Sequence, residues 1–218
     1  KRLCICLVGG VVRDILLGQA SFDLDLVVEG DAIKLAESLA GEVGGRLVVH
    51  RRFGTAKVRT GNLTIDLAMA RAESYTRPGA LPSVRPGSIQ DDLARRDFTV
   101  NAMALWLDPM NFGKLVDPFG GQKDLANKLI RVLHDRSFID DATRMLRAVR
   151  YEQRFSFRLE AATEKLLRQN VAMLGTISGD RIRHELELIL KEEYPEKALR
   201  RAGDLGLLGE VHPAMKGN

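Results

Sequence analysis

The chain has 218 residues, of which 45% are hydrophobic and 28% are charged, and its formal net charge is +4. This composition is typical of a globular protein with its own core and excludes a largely disordered chain. No apolar run approaches the roughly 20 residues that a membrane-spanning helix needs. The mildly basic balance is compatible with a nucleic-acid partner.

The two cysteines, Cys4 and Cys6, lie two residues apart in one apolar segment. That spacing is poor for a disulfide and differs from the Cys-x-x-Cys of a zinc site. We therefore predict free thiols and a cytoplasmic protein. We also expect no signal peptide before the first strand.

The first elements are a strand and a helix joined by two glycines. The apolar run 3–8 predicts a buried strand, and Val11, Val12, Ile15 and Leu16 predict an amphipathic helix that stops at Gly18. Gly9 and Gly10 stand at the turn between them. Because glycine has no side chain, this turn would let a phosphate approach the backbone closely.

A second predicted strand carries Asp23 and Asp25. Residues two apart on a strand point to the same face. Two carboxylates on one face can share divalent cations roughly 3.5–4 Å apart, an arrangement used for in-line attack on a phosphoryl group. The sequence thus indicates a site for phosphoryl chemistry soon after the glycine turn.

A helix and three short strands follow. Asp31 is a candidate N-cap for a helix over 32–42, and strands are predicted at 46–49, 55–59 and 63–69. Asp66 lies in the middle of the last strand, where an acid is costly unless it is paired or bound to metal. It is either a third carboxylate beside Asp23 and Asp25 or a half-exposed position on an edge strand.

Residues 71–90 form a polar connection that contains three prolines. Such long connections are usually mobile or functional. Arg95 and Arg96 follow, and they are either surface ion-pair partners of Asp97 or a pair that holds a triphosphate. A short strand is predicted near 115, and Asp124 is predicted to open the next helix.

From about residue 130 strands are no longer predicted, and helical periodicity covers 140–154, 160–170, 178–190 and 195–207. Ser178 and Asp180 are candidate caps for the third of these helices. We predict an α+β fold with two domains. Residues 1–130 form a small mixed sheet with helices, and residues 131–218 form an all-helical region.

In the first of these helices, Met145 and Val149 fall on the predicted core face, whereas Arg144 and Arg147 fall on the opposite face. That face is either solvated or a binding surface. Asp141 and Arg144, one turn apart, would offer an acceptor and a donor side by side. Such a pair matches the pairing edges of cytosine and adenine and mismatches those of uracil and guanine.

Taken in order, these motifs resemble the class II tRNA nucleotidyltransferases, which include CCA-adding, CC-adding and A-adding enzymes within the polymerase β-like superfamily. The matching segments are Leu7–Asp14, Asp23–Asp25, Arg95–Ala102, Asp117–Gly121, Asp141–Ala148 and Ser178–Ile182. The resemblance covers nearly the whole chain. It implies a polymerase β-like nucleotidyltransferase head, followed by an all-helical neck and the start of a helical body.

The resemblance also implies roles for single residues. Asp23 and Asp25 would hold Mg²⁺, with Asp66 as the third catalytic carboxylate. Nucleotide binding would fall to Gly9, Gly10, Arg13, Arg96, Asp97, Asn101, Asp141, Arg144, Arg147 and Arg150. Asp141 and Arg144 would read the base, and no template strand would be needed. The substrates would be ATP, CTP and the 3′ end of a tRNA, with no membrane and no protein partner implied.

Three alternatives stay open. The long 71–90 connection favours a CCA-adding or A-adding enzyme over a CC-adding one. A bacterial poly(A) polymerase shares the same head, although only Arg51-Arg52-Phe53 weakly resembles the basic run of that subfamily. A non-catalytic RNA-binding module is the third interpretation.

The sequence departs from the family pattern in its base-reading motif, at Asp140 and Ala142, where glutamate and proline are usual. We also expect the segment that grips the tRNA elbow to lie outside this sequence.

Overall fold

The computed structural model describes residues 4–20 and 23–216, so Leu3 of the first predicted strand lies outside the described residues. The chain divides into two compact units, the first formed by Lys1–Glu73 and Val84–Gln122 and the second by Ser74–Ser83 and Lys123–Asn218. Across the described ranges, 4–20 and 23–216, no helix combines the length and the hydrophobicity that a bilayer span requires.

The first unit contains the large sheet and the helices that cover it. Its elements are β1 (Cys4–Val8), α1 (Gly10–Leu16), β2 (Asp23–Glu29), α2 (Ala32–Val43), β3 (Arg46–His50), β4 (Thr55–Thr60), β5 (Leu63–Met69), β6 (Arg71–Ser74), β7 (Ser83–Pro86), α3 (Ile89–Ala94), β8 (Ala104–Trp106) and β9 (Leu115–Val116).

The second unit is mainly helical. Beginning with α4 (Gly121–Ala126), which spans the boundary, its elements are β10 (Leu129–Ile130), α5 (Ser137–Asp140), α6 (Thr143–Arg154), β11 (Arg158–Leu159), α7 (Ala161–Asn170), α8 (Gly179–Leu190), α9 (Pro195–Asp204) and α10 (Leu207–Val211).

The seven-stranded sheet has the order β3-β4-β5-β2-β1-β8-β9. β2 and β5 are parallel, whereas the other neighbours are antiparallel, so the sheet is mixed as predicted. Alternate residues of each strand face opposite sides. One side buries Val28, Val58 and Leu67 against the alanines of α2. The other side packs Cys6, Val8 and Val27 against Ile89 and Leu93 of α3.

Local signals explain most element boundaries. Asp31 caps α2 through a 2.9 Å bond from the Lys34 N–H, and Gly44 ends that helix in the left-handed conformation. Ser88 and Asp91 form a capping box at the start of α3. Ser178 stands at the N-cap of α8, but its side chain makes no capping bond there.

The structure corrects three expectations. The 71–90 connection contains a strand pair, β6 with β7, and the first two residues of α3. Helix α4 begins at Gly121, three residues before Asp124, because the Asp117 carboxylate accepts the N–H groups of Gly121 and Gln122. The region after residue 130 is not all helical, since β10 pairs with β11 in parallel.

Candidate functional site

The predicted carboxylates lie on two neighbouring central strands. β2 pairs in parallel with β5 in a register that sets Asp25 opposite Asp66 and Asp23 opposite Thr64. In-register residues of paired strands share a face, so Asp23, Asp25 and Asp66 project from the same side of the sheet. Leu24 points to the other side, into the core beneath α2. The three acids therefore share one side of the sheet, as strand alternation predicted for Asp23 and Asp25.

Asp66 does not occupy an edge strand, because β5 lies between β4 and β2. Its cross-strand neighbour on β4 is Lys57, whose Nζ lies 2.8 Å from Asp66 Oδ2. Both side chains remain about one-third exposed (33% for Lys57 and 39% for Asp66), so the pair is accessible from solvent. The lysine partly balances the negative charge of the three carboxylates.

The surroundings of Asp25 disfavour the negative charge of its carboxyl group. Loss of water around its carboxyl group raises the pKa of Asp25, and the charges of Asp66 and Asp23 raise it further. The positive charges of Arg96 and Lys57 act in the opposite direction. A carboxylate crowded by like charges gains most from a bound cation.

The donor set suits a hard cation. Carboxylate oxygens are the ligands that Mg²⁺ prefers, and it is usually held by one or two of them together with substrate phosphates and water. Within residues 4–20 and 23–216, no group of three or more His, Cys, Asp or Glu side chains could hold a metal ion. A cation at Asp23 and Asp25 would therefore take its remaining ligands from a nucleotide or from water.

The glycine turn brings an arginine to the start of α1. Gly9 has a φ of 77° and a ψ of −136°, and its N–H bonds to the Met103 carbonyl. A Cβ placed on Gly9 would lie 2.6 Å from Nη1 of Arg96. Glycine is thus required both by the backbone conformation and by the guanidinium packed against it.

The Arg95–Arg96 pair is held from behind by Asp92, which is fully buried. One carboxylate oxygen of Asp92 accepts a 2.7 Å bond from Arg95, and the other accepts a 2.8 Å bond from Arg96. Arg95 also contacts Glu73 at 3.3 Å. The ion-pair alternative named Asp97 as the partner of these arginines, and the structure shows that both of them bind Asp92.

Arg13, Asn101 and Asp97 form a buried chain of hydrogen bonds. Arg13 donates to Asn101 Oδ1 at 2.6 Å, and the Asn101 amide donates to Asp97 Oδ1 at 3.1 Å. The guanidinium of Arg13 also binds Asp14 at 2.7 Å. These three predicted nucleotide-binding residues therefore meet beside the glycine turn, although Arg13 and Asn101 are 88 positions apart in the sequence.

In the second unit, the predicted base-reading residues lie at a break between helices. Asp141 is extended, between α5 and α6, and its Oδ1 accepts from the N–H and hydroxyl of Thr143. The same oxygen accepts a 2.8 Å bond from Arg181 of α8. Arg144 is buried and donates to Ser137 at 2.8 Å.

The predicted polar face of α6 is mostly buried, with Arg144 and Arg150 each 5% exposed, so it is neither the solvated surface nor the open binding surface that the sequence predicted. Helix α8 packs against α6. Glu185 of α8, itself buried, lies 3.4 Å from Arg147 and 3.5 Å from Arg150. Glu192 lies 3.5 Å from Arg150. The guanidinium groups of Arg147 and Arg150 also stand over the Tyr151 ring.

Sequence reasoning missed the partners that hold these residues. The missed residues are Lys57, Asp92, Arg181 and Glu185. Lys57 could have been found from strand alternation, since it falls on the polar side of β4. Arg181 and Glu185 lie about 40 residues from their partners, and no local pattern links them.

Two family models match the chain. Residues 5–131 match the poly A polymerase head domain, and residues 156–217 match a domain described as a probable RNA and SrmB-binding site of polymerase A. The matched ranges together span nearly the whole sequence.

Named relatives are similar over most of the chain. An A-adding tRNA nucleotidyltransferase from Halalkalibacterium halodurans is 49% identical over 94% of this chain and 49% of its own length. A CC-adding tRNA nucleotidyltransferase from Deinococcus radiodurans is 41% identical over 90% of this chain and 52% of its own. An apo CCA-adding enzyme structure superposes with a TM-score of 0.93 at 47% identity, covering 97% of this chain and 50% of that one. The chain thus spans about half the length of these relatives.

Proposed function

Because the chain belongs to the poly A polymerase head-domain family, we propose that it transfers a nucleotide from ATP or CTP to the 3′ end of a tRNA. The observation that carries this proposal is the register of β2 with β5, which sets Asp23, Asp25 and Asp66 on one accessible face. Addition of the terminal A is the favoured reaction, because the relative named A-adding is more similar (49% identity) than the one named CC-adding (41%).

Nucleotidyltransferases of this family generally depend on metal ions. We propose Mg²⁺ at Asp23 and Asp25, whose carboxylate oxygens fit that ion. When bound, the metal would neutralise charge on the phosphates and lower the pKa of the attacking hydroxyl. The free thiols of Cys4 and Cys6 are compatible with a cytoplasmic setting.

The chain's own residues divide the remaining work. The 3′-hydroxyl of the RNA attacks the α-phosphorus, the bond to the β-phosphate oxygen breaks, and pyrophosphate leaves. Asp66, beside Asp25 and held by Lys57, accepts the proton of the attacking hydroxyl. Arg96, fixed by Asp92, and Arg13, fixed by Asn101, bind the triphosphate by charge-assisted hydrogen bonds. Asp141 and Arg144 of the second unit would select the base, and Arg147 and Arg150, paired with Glu185, would hold the helix that carries Arg144.

Incorporation assays on three RNAs test the proposal: a tRNA transcript ending in CC, one lacking CCA, and an unrelated RNA. With ATP and Mg²⁺, we expect one A to be added to the first. Asp25→Asn should lower the rate at least about 10³-fold, because it removes charge where the metal and phosphates meet. Asp31→Asn is the matched control, since asparagine also caps a helix.

The other outcomes separate the alternatives. Addition of CCA to the shortened transcript would indicate a CCA-adding enzyme. Repeated A addition to the unrelated RNA would indicate a poly(A) polymerase. RNA binding without any incorporation would favour the non-catalytic module and contradict the proposal.

A further inference from the structure

The hairpin formed by β3 and β4, residues 46–60, concentrates positive charge beside the carboxylates. It contains Arg46, Arg51, Arg52, Lys57 and Arg59 and no aspartate or glutamate. The whole chain has 33 basic and 29 acidic residues, so a 15-residue stretch with five cations and no anion is a marked local excess. We call residues 46–60 the basic hairpin.

The cationic side of the basic hairpin is the same side of the sheet that carries the acids. Lys57 of β4 is opposite Asp66 of β5, which is opposite Asp25 of β2. Arg59 is likewise opposite Thr64 and Arg46. The other side of the hairpin packs Ala56 and Val58 toward α2. A mainly polar surface therefore runs from the carboxylates outward to the edge strand, where it is interrupted by Val48, which is 38% exposed.

Arg46 and Arg59 are directly opposite each other across β3 and β4, and both are exposed. Like charges in this position destabilise a strand pair. In the described part of the chain, the ion pairs include none from either arginine to a carboxylate. An anion bound between the two guanidinium groups would offset their repulsion.

The turn of the basic hairpin adds an exposed aromatic ring. Phe53 is 64% exposed, and the guanidinium carbon of Arg52 lies 5.7 Å from its ring centroid. Arg51 approaches Glu37 only at 3.9 Å, with both side chains exposed, so this contact is weak. A cationic strip with an accessible ring is the combination that binds single-stranded nucleic acid, through phosphate contacts and base stacking.

We propose that the basic hairpin binds the single-stranded 3′ segment of the RNA substrate. Its phosphates contact Arg46 and Arg59, and one base stacks on Phe53. The inference rests on the proposed function for its ligand, because RNA is the substrate whose end must reach Asp23 and Asp25. An acidic polypeptide would satisfy the arginines, but it offers no base for the exposed ring.

Fluorescence anisotropy tests the phosphate contacts in the full 218-residue chain, with a fluorescein-labelled tRNA transcript ending in CC, in EDTA and without nucleotide. Arg46→Gln/Arg59→Gln should weaken binding about tenfold and reduce the slope of log affinity against log salt by roughly 1.4, about 0.7 for each lost contact. The matched control is Arg85→Gln/Lys114→Gln, which removes two exposed cations elsewhere in the same unit.

Phe53→Leu tests stacking, with Phe112→Leu as control because that ring is 75% exposed on a different turn. Only Phe53→Leu should weaken binding, by about fivefold or more. Equal losses in a variant and its control would overturn the inference. Displacement of the RNA by poly-glutamate as readily as by unlabelled RNA would also overturn it.

The two proposals can fail separately. If the wild-type chain adds A to tRNA but the hairpin variants bind RNA as wild type does, only the hairpin inference fails. If no nucleotide is added but the hairpin variants lose RNA binding, the hairpin inference stands and the proposed function fails.

Discussion

Gly9 is the residue at which backbone conformation and site chemistry are most tightly joined. Its φ of 77° with ψ of −136° is a conformation that residues with a side chain rarely adopt. Because Gly9 has no Cβ, the Arg96 guanidinium can occupy the space where a Cβ would lie. The glycine turn therefore fixes the placement of an arginine, in addition to the phosphate contact that we propose for it.

We expect Gly9→Ala to cost roughly 1–3 kcal/mol of stability through backbone strain. It should also weaken ATP binding about tenfold, because Arg96 must move and loses a charge-assisted contact worth about 1.5–3 kcal/mol. Urea unfolding and an ATP titration measure the two effects. Gly18→Ala is the control, since Gly18 also has a positive φ of 72° but open space around its Cβ position. Equal ATP affinity in both variants would contradict the assignment of Arg96.

The position of a single site residue was predictable where a local sequence pattern indicated it. Strand alternation predicted that Asp23 and Asp25 share a face, and the cost of an acid in an apolar strand singled out Asp66. The partners Lys57 and Arg181 were missed because their contacts depend on strand order and helix packing. The periodicity of a sequence gives neither the order of strands in a sheet nor the packing of one helix against another.

Elements with a complete set of start, period and stop signals were predicted to within a residue or so. Helix α2, with its Asp31 cap and Gly44 stop, is the clearest case. The two-residue strands β10 and β11 are too short to have a period, so they could not be recognised. The helix predicted from residue 140 instead breaks before Thr143, where the Asp141 side chain accepts the Thr143 N–H.

This break places Asp141 at the end of an element, held by Thr143 and by Arg181. We predict that Asp141→Ala relaxes the choice of base, so that UTP and GTP are incorporated about 10–100-fold more efficiently relative to ATP and CTP. In the wild-type chain, a uracil or guanine would place a carbonyl against the Asp141 carboxylate and leave two acceptors unpaired. Asp141→Ala removes one of these acceptors, so the wrong base is no longer disfavoured. Competition assays with mixed nucleotides measure the ratio.

Asp141→Ala also removes the hydrogen bonds that Asp141 accepts from Thr143, at a cost of about 1 kcal/mol. Asp141→Asn keeps one acceptor oxygen for Thr143, so comparing its thermal unfolding with that of Asp141→Ala measures the loss of this hydrogen bond. Asp180→Ala is the control, since Asp180 is an exposed acid at the start of α8. Unchanged base selectivity in Asp141→Ala would remove the base-reading hypothesis.

At the scale of the whole molecule, the two units are not consecutive in sequence. Residues 74–83 belong to the second unit, although the segments on either side belong to the first. Gly79 lies against Thr176, and its carbonyl accepts a 3.4 Å bond from Arg181. The sequence predicted a single boundary near residue 130 and therefore did not assign residues 74–83 to the second unit. Their contacts with that unit join segments about 100 residues apart, and no local pattern reports such contacts. That boundary stays a prediction.

Carboxylates in both units carry depressed pKa values, which sets the response of the molecule to acid. Hydrogen bonds from Arg201 and then Arg168 lower the pKa of Glu164, and the Ser88 backbone N–H lowers that of Asp91. Burial lowers the pKa of His134, and the charge of Arg144 lowers it further. In each case the unfolded chain binds its proton at a higher pH than the folded chain.

Stability should therefore fall in two stages on acidification. The first stage begins below about pH 6.5, where the unfolded chain protonates His134. The second begins below about pH 4.5, where the glutamates and then the aspartates are protonated.

Glu164→Gln should lower the Tm at pH 7 by about 2–4 °C, or about 1 kcal/mol, and the Tm of this variant should approach the wild-type Tm near pH 3. Thermal unfolding by circular dichroism from pH 7 to pH 3 measures both curves, with Glu42→Gln, an exposed glutamate of α2, as the control. A constant Tm difference between wild type and Glu164→Gln across that range would show that the Arg201–Glu164 contact does not stabilise the fold.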